Sequence, residues 1–286
     1  MENKLHIIEH INKYGLDETI SKFKLKFRDY PSKIILKYDQ IESDFSLPEV
    51  QESRGLILEK DTWKVLSLAF KKFFNSGEIH AAKIDWNTAH ILHKEDGSLI
   101  QLYYDWNDGV WYAGTTGTAN GEGEVNNKYG ITFNYLFWNT VQNKYGLNEC
   151  LLDKDHVYIF ELCTPYNIVV APHGESSAKL LAVRNRLTLD EASQGDLYMI
   201  SEIIGVPLAR SYDLNVGSAD ELSKTLIGMP WSEEGYVVRD GNDNRIKIKN
   251  PAYLVVHHLK NKTAEHNIIT IVKNNEIEEF ASTFPD

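Results

Sequence analysis

An amine becomes a nucleophile when it sheds its proton, and the chain offers one in Lys94-Glu95-Asp96-Gly97, a Lys-x-Asp-Gly pattern. The same four residues also read as a surface lysine beside an Asp-Gly hairpin turn. Other charges stand where charge is costly. Arg54 opens the apolar run Leu56-Ile57-Leu58, and Lys72 follows the apolar run at 64–70. Charges at the ends of core strands need a partner, either an anionic ligand or a buried glutamate. Glu161 interrupts the apolar segment 156–163 and needs a cation or a hydrogen-bond donor. Lys247 and Lys249 are two apart in Arg245-Ile246-Lys247-Ile248-Lys249, so on a strand both project from one face. Glu234 leads the segment that pairs with them.

Regular elements must hold these side chains. Ile7, Ile8, Ile11 and Tyr14 are spaced for one helix face within residues 3–14, ended by Gly15. Asp17 is expected to cap a second short helix through Ile20 and Phe23. Lys22, Lys24, Lys26 and Arg28 form a basic cluster, either a solvated face or a phosphate-backbone contact. Strands are expected at 33–39, 53–59, 64–70, 89–94, 98–104, 110–114, 156–163, 167–171 and 179–184. Helices are expected at 132–145, 190–204 and 218–227, the last with Ser218 and Glu221 in a capping-box pattern. Residues 233–249 read as a hairpin turning at Asp240-Gly241, and the chain turns helical from Pro251. The glycine-threonine loop at 114–123 lacks the lysine of a phosphate-binding P-loop.

Composition narrows the function. With 286 residues, 42% of them hydrophobic, the chain can bury one large core, with or without an appendage. It has no apolar run of about 18 residues and no apolar leader after Met1, so a cytoplasmic location is expected and no membrane partner. Two cysteines, Cys150 and Cys163, exclude a disulfide framework and a four-cysteine zinc site. The net charge of −11 argues against a protein that coats nucleic acid with a basic surface. It is compatible with divalent-metal chemistry on phosphates, which demands carboxylates. His90 with His93, and His257 with His258, lack further ligand residues at zinc-site spacing and read as structural.

Taken in order, Lys94-Glu95-Asp96-Gly97, Phe160-Glu161, Glu234-Gly235 and Lys247-Ile248-Lys249 resemble the covalent nucleotidyltransferases, the superfamily of ATP-dependent ligases and capping enzymes. Glu52-Ser53-Arg54-Gly55, Lys72-Phe73-Phe74-Asn75 and Phe160 to Asn167 bring the likeness closest to the T-even phage RNA ligases of the tRNA-repair type. The likeness spans roughly residues 30–260. Lys83-Ile84-Asp85 also starts the pattern, but Trp86 stands where the tight turn beside a phosphate wants glycine.

The resemblance implies an α+β nucleotidyltransferase (ATP-grasp-like ligase) fold of antiparallel sheets with flanking helices. Residues 1–250 would form the adenylyltransferase domain and 251–286 a short C-terminal helical segment. It implies an ATP-dependent RNA ligase in which Lys94 takes AMP from ATP, with Mg²⁺ or Mn²⁺. AMP then passes to an RNA 5′-phosphate, and an RNA 3′-hydroxyl displaces it. Lys247 and Lys249 would hold the α-phosphate, and Arg54 and Lys72 the β- and γ-phosphates. Asp96 and Glu161 would contact the ribose or organise the metal, and Tyr38 would stack on or hydrogen-bond the nucleotide. Glu234 would bind metal, and Glu278 and Glu279 fall where the phage enzyme carries a metal-associated carboxylate pair, or form a solvated helix face. A repair kinase or phosphatase is an expected partner.

Three departures qualify the likeness. Thr116-Gly117-Thr118 stands where the phage enzyme has a lysine before Gly-Ser. Leu181-Ala182-Val183-Arg184 offers no aromatic for the base, as in the phage branch. Too few residues follow Lys249 for a complete OB-fold, which argues against a DNA ligase or a capping guanylyltransferase. Those two remain the alternatives within the superfamily, and a non-catalytic nucleotide- or RNA-binding domain is the alternative outside it.

Overall fold

The computed structural model describes residues 5–126 and 129–260. In chain order the elements begin with α1 (His6–Tyr14), α2 (Leu16–Phe23), β1 (Leu25–Asp29), β2 (Lys33–Tyr38) and α3 (Pro48–Glu52). Next come β3 (Arg54–Glu59), β4 (Val65–Ser67), β5 (Phe74–Asn75), β6 (His90–His93), β7 (Ser98–Asp105) and β8 (Val110–Thr115). Then follow α4 (Phe133–Tyr145), β9 (His156–Cys163), β10 (Ser177–Asn185), α5 (Gln194–Ile204) and β11 (Ser211–Tyr212). The last are α6 (Ala219–Lys224), β12 (Gly235–Arg239), β13 (Arg245–Lys249) and α7 (Pro251–Lys260). The fold is α+β, built on antiparallel sheets. No helix among the described residues is long and apolar enough to cross a membrane.

The chain forms two compact units. The first comprises residues 1–73, 98–167 and 175–208. It holds two four-stranded sheets, ordered β1-β2-β3-β4 and β10-β9-β7-β8. Side-chain alternation gives each sheet two apolar faces. The inner faces meet through Ile35 and Ile57 on one side and Tyr103, Val157, Ile159 and Ala182 on the other. Outside, Leu36, Leu56 and Leu58 pack under α1–α3, and Phe160 and Leu162 pack under α4 and α5. Lys33 of β2 reaches Asp105 of β7 at 2.6 Å with both side chains buried, and Asp108 adds a second contact at 2.9 Å. Breaking such a pair strands a buried charge.

The second unit comprises, among the described residues, 74–97, 168–174 and 209–260. Its five-stranded sheet runs β11-β6-β12-β13-β5, antiparallel except for the β13–β5 pair. One face carries Ile91, Tyr236, Val238, Ile246 and Ile248 against Leu222 and Leu226. The opposite face, by alternation, carries Val237, Lys247 and Lys249.

Several expectations change. The N-cap of α2 is Gly15, and Asp17 lies in the first turn, where a negative charge still favours the helix dipole. Residues 167–171 form no strand beyond an isolated bridge between Asn167 and Thr164. The strand expected at 64–70 shortens to Val65–Ser67. Part of the basic cluster is strand β1, exposed except at Leu25 and paired only with β2. Asp96-Gly97 is not a hairpin turn. Strand β6 pairs with β11 and β12, whereas β7 pairs with β8 and β9, so Lys94–Gly97 connects strands of different sheets.

Candidate active site

In the second unit, the end of β6 sets Lys94. The ladder with β12 continues one residue past the strand, where the Lys94 amide donates to the Gly235 carbonyl at 2.9 Å. Lys94 Nζ donates to Glu234 Oε2 at 2.7 Å, and Lys249 Nζ lies 3.3 Å from Glu234 Oε1. Glu234 is buried, and a buried carboxylate needs such partners. One carboxylate thus clamps two ammonium groups that come from strands far apart in sequence.

The glycine after Glu234 is a steric requirement. Gly235 has φ +126°, and a Cβ there would stand 2.2 Å from the Ile248 carbonyl oxygen. Only glycine lets β12 lie that close to β13 while Glu234 turns toward both lysines. On β13, Lys247 shares the face of Lys249 and lies in register with Val237 and Asn75. Asn75 Oδ1 is buried without a hydrogen-bond donor among the described residues.

Asp96 faces a different set of groups. Its Oδ2 accepts from the amides of Val170 and Ala171 at 3.0 and 2.6 Å, and its Oδ1 accepts from the Tyr253 hydroxyl at 2.7 Å. The Asp96 carbonyl meets His173 Nε2 at 2.7 Å. Asp96 is buried, and three donors occupy its carboxylate. It fastens the segment after Lys94 to α7 and to residues 168–174. Neither contact was legible in the sequence: Tyr253 falls in the stretch that turns helical from Pro251, and 167–171 read as a strand.

Beside Lys94, His93 Nδ1 meets the Tyr212 hydroxyl at 3.1 Å, and Arg210 bonds that hydroxyl and Glu233. Burial pushes the His93 imidazole below its ordinary value.

In the first unit, Arg54 begins β3 next to a bulge. Gly55 has φ +74°, and a Cβ there would meet Thr116 Cα at 2.8 Å. The Arg-Gly pair therefore lets the Thr116 loop approach the strand. The Arg54 guanidinium lies over Phe73 at 5.6 Å, and its Nη1 is buried without an acceptor among the described residues. The expected alternative partner, Glu52, is engaged elsewhere: it accepts from Lys71, from the Ile7 amide and from His6. Lys72 Nζ sits 5.3 Å from the Tyr38 ring and 4.7 Å from Phe45, so Lys72 and Tyr38 are brought together. Tyr38 itself is buried, edge-on to Phe45. Glu161 continues the inner-face strip of Val157 and Ile159 and lies in register with Leu99 and Lys179.

Glu278 and Glu279 lie outside the described residues. Among the described residues no three His, Cys, Asp or Glu side chains gather as a protein-only metal site requires. A Mg²⁺-type ion held through one carboxylate, substrate phosphates and water does not need such a cluster. Within the first unit, the unmatched donor at Arg54 suits a phosphorylated ligand; within the second, the unmatched acceptor at Asn75, in register with Lys247, suits a hydrated cation.

A family model described as RNA ligase matches residues 52–253. Over 305 residues the chain is 30% identical to a protein of Autographa californica nuclear polyhedrosis virus, provisionally named a bifunctional polynucleotide kinase/RNA ligase. That match covers 98% of this chain and 42% of the viral protein, so the chain spans about two fifths of that relative. It is 26% identical over 343 residues to the RNA ligase of Rhodothermus phage RM378, covering 98% of this chain and 77% of the phage protein. Among solved structures, an archaeal ATP-dependent RNA ligase shares the fold at a TM-score of 0.59 and 13% identity, covering 98% of this chain and 78% of that one.

Proposed function

We propose, from the premise that this chain belongs to the RNA ligase family, that it is an ATP-dependent enzyme joining RNA 5′-phosphate and 3′-hydroxyl ends. The observation that carries the reading is the Lys94–Glu234–Lys249 clamp. It holds a primary amine on the end of a strand with a cation beside it.

The reaction splits one condensation into three displacements. Lys94 Nζ forms a bond to the α-phosphorus of ATP as the bond to pyrophosphate breaks. Its ion pair with Glu234 must open first, because the amine attacks only after losing a proton, and Glu234 is the acceptor at hand. Lys249 then offsets charge developing on the phosphate oxygens, with Lys247 on the same face. In the second displacement an RNA 5′-phosphate oxygen takes AMP from Lys94, freeing the amine. In the third an RNA 3′-hydroxyl attacks the 5′-phosphorus, a phosphodiester forms and AMP leaves.

Arg54 and Lys72 bind the departing phosphates, and Tyr38 and Glu161 bind the nucleoside. Glu234 in the second unit, and Glu161 in the first, would each serve as a ligand for a divalent cation, Mg²⁺ or Mn²⁺, which withdraws charge from the phosphates when bound. Asp96 positions Lys94, since donors from the protein meet both of its oxygens. The work belongs in a reducing cytoplasm, and the baculovirus relative's name supports a polynucleotide kinase as the source of 5′-phosphates.

The test is incubation with α-labelled ATP and a divalent cation. A labelled, acid-labile adduct is expected, absent in Lys94→Ala, together with circularisation of a 5′-phosphorylated single-stranded RNA. Sealing of nicked duplex DNA alone would refute the RNA assignment.

A further inference from the structure

Three cations stand abreast on the inner face of the first sheet. Lys26 of β1 lies opposite Lys37 of β2, and Lys37 lies opposite Arg54 of β3. Residues paired in register project from the same face, here the face that carries Ile35 and Ile57. Phe73, beneath the Arg54 guanidinium, packs on that same core.

Like charges directly opposite one another destabilise a sheet, so such a row calls for anions. The protein provides one at the outer end, where Asp39 pairs with Lys26 at 2.5 Å. Arg28, the next residue on this face of β1, is met by Glu122 at 3.0 Å. Lys37 and Arg54 have no carboxylate within ion-pairing distance among the described residues. Among the described residues Arg54 Nη1 is in addition a buried donor with no acceptor, an arrangement that costs stability unless a ligand completes it.

The row is open at both remaining positions and runs to an exposed edge strand. Three strands about 4.8 Å apart give it a length of about 10 Å. An anion with one compact charge would satisfy Arg54 alone, whereas a chain of phosphates that leaves over the sheet edge would use the whole row. We propose that Lys37 and Arg54, extended by Lys26, form a phosphate track for the 5′-phosphorylated RNA strand, with Lys37 as a direct phosphate contact. This rests on the RNA-ligase reading.

Lys37→Gln, which removes the charge and keeps a polar side chain, is the test. Binding of a 5′-phosphorylated single-stranded RNA without ATP is measured over a series of salt concentrations. Self-adenylylation is measured over a series of ATP concentrations. The track predicts a five- to tenfold loss of RNA affinity and a salt slope smaller by about 0.7, the value for one phosphate contact. It also predicts KM for ATP within twofold of wild type, and RNA affinity restored by Lys37→Arg. A raised KM for ATP with unchanged RNA affinity would assign Lys37 to the nucleotide's own phosphates and overturn the track. Equal behaviour of Lys37→Gln and wild type in both assays overturns it as well. A wild-type chain that forms no lysyl-AMP, yet loses RNA affinity through Lys37→Gln, upholds the track and removes the ligase reading.

Discussion

Around Lys94 the protein meets its own charges. Two ammonium groups share the Glu234 carboxylate, and Asp96 is held by three donors. Along Lys37 and Arg54 it does not: among the described residues a guanidinium donor is buried without an acceptor, and its neighbour across the strand has no carboxylate. The difference separates two tasks. A nucleophile must be aimed before the substrate arrives, so the groups that aim it are already in place. A site that waits for phosphate must leave its cations unneutralised, at some cost to the fold.

Substitutions break or sharpen this contrast. The largest effect is expected from Glu234→Gln, which removes the charge that both lysines share. Self-adenylylation should fall by roughly 10²-fold, the scale of a lost acid–base group. A rate within threefold of wild type in single-turnover labelling would show that the clamp does not aim Lys94. Next comes Asp96→Ala, which removes the acceptor shared by the Tyr253 hydroxyl and the amides of Val170 and Ala171. Denaturant unfolding should report a loss of about 2–3 kcal/mol, and Tyr253→Phe a loss of about 1 kcal/mol.

Arg54→Met should behave in the opposite way. An unbranched apolar side chain removes the orphan donor, so the unfolding midpoint should hold or rise while KM for ATP climbs about tenfold. A destabilisation as large as that of Asp96→Ala would erase the distinction between the two regions. The smallest effect concerns the outer end of the track. The Lys26 ammonium, with the amides of Ile41 and Glu42, holds Asp39 at about 2, below its ordinary 3.8. A depressed carboxyl contributes stability above about pH 3.8 and loses it as pH falls through about 2. Lys26→Gln should bring the Asp39 titration, followed by NMR, back toward the ordinary value.

The alternation of apolar residues made most strands legible, including the hairpin that carries Lys247 and Lys249. The charges at Arg54 and Glu161 announced themselves by standing beside or within apolar runs. What stayed hidden depended on pairing between distant segments. The row Lys26–Lys37–Arg54 exists only once β1 is known to be a strand, and its run of Lys-Phe-Arg-Asp shows no buried alternation. Lys94-Glu95-Asp96-Gly97 resembles a hairpin because Asp-Gly favours one locally, whereas the strands on either side join different sheets. The role of Asp96 was hidden for the same reason: its donors lie 74, 75 and 157 residues away.

The Lys94–Glu234 contact spans 140 residues of sequence. A ribosome adding about 5–20 residues per second delivers the nucleophile roughly 7–30 s before the carboxylate that holds it. During that interval β6 lacks its neighbour β12, because Leu92 waits for Val237. Premature termination anywhere before β12 therefore leaves a nucleophile strand with an unsatisfied edge, the kind of backbone that other chains add to. For this protein the interval between making a strand and completing its sheet is a hazard of synthesis, and nascent-chain crosslinking at Leu92 would time it.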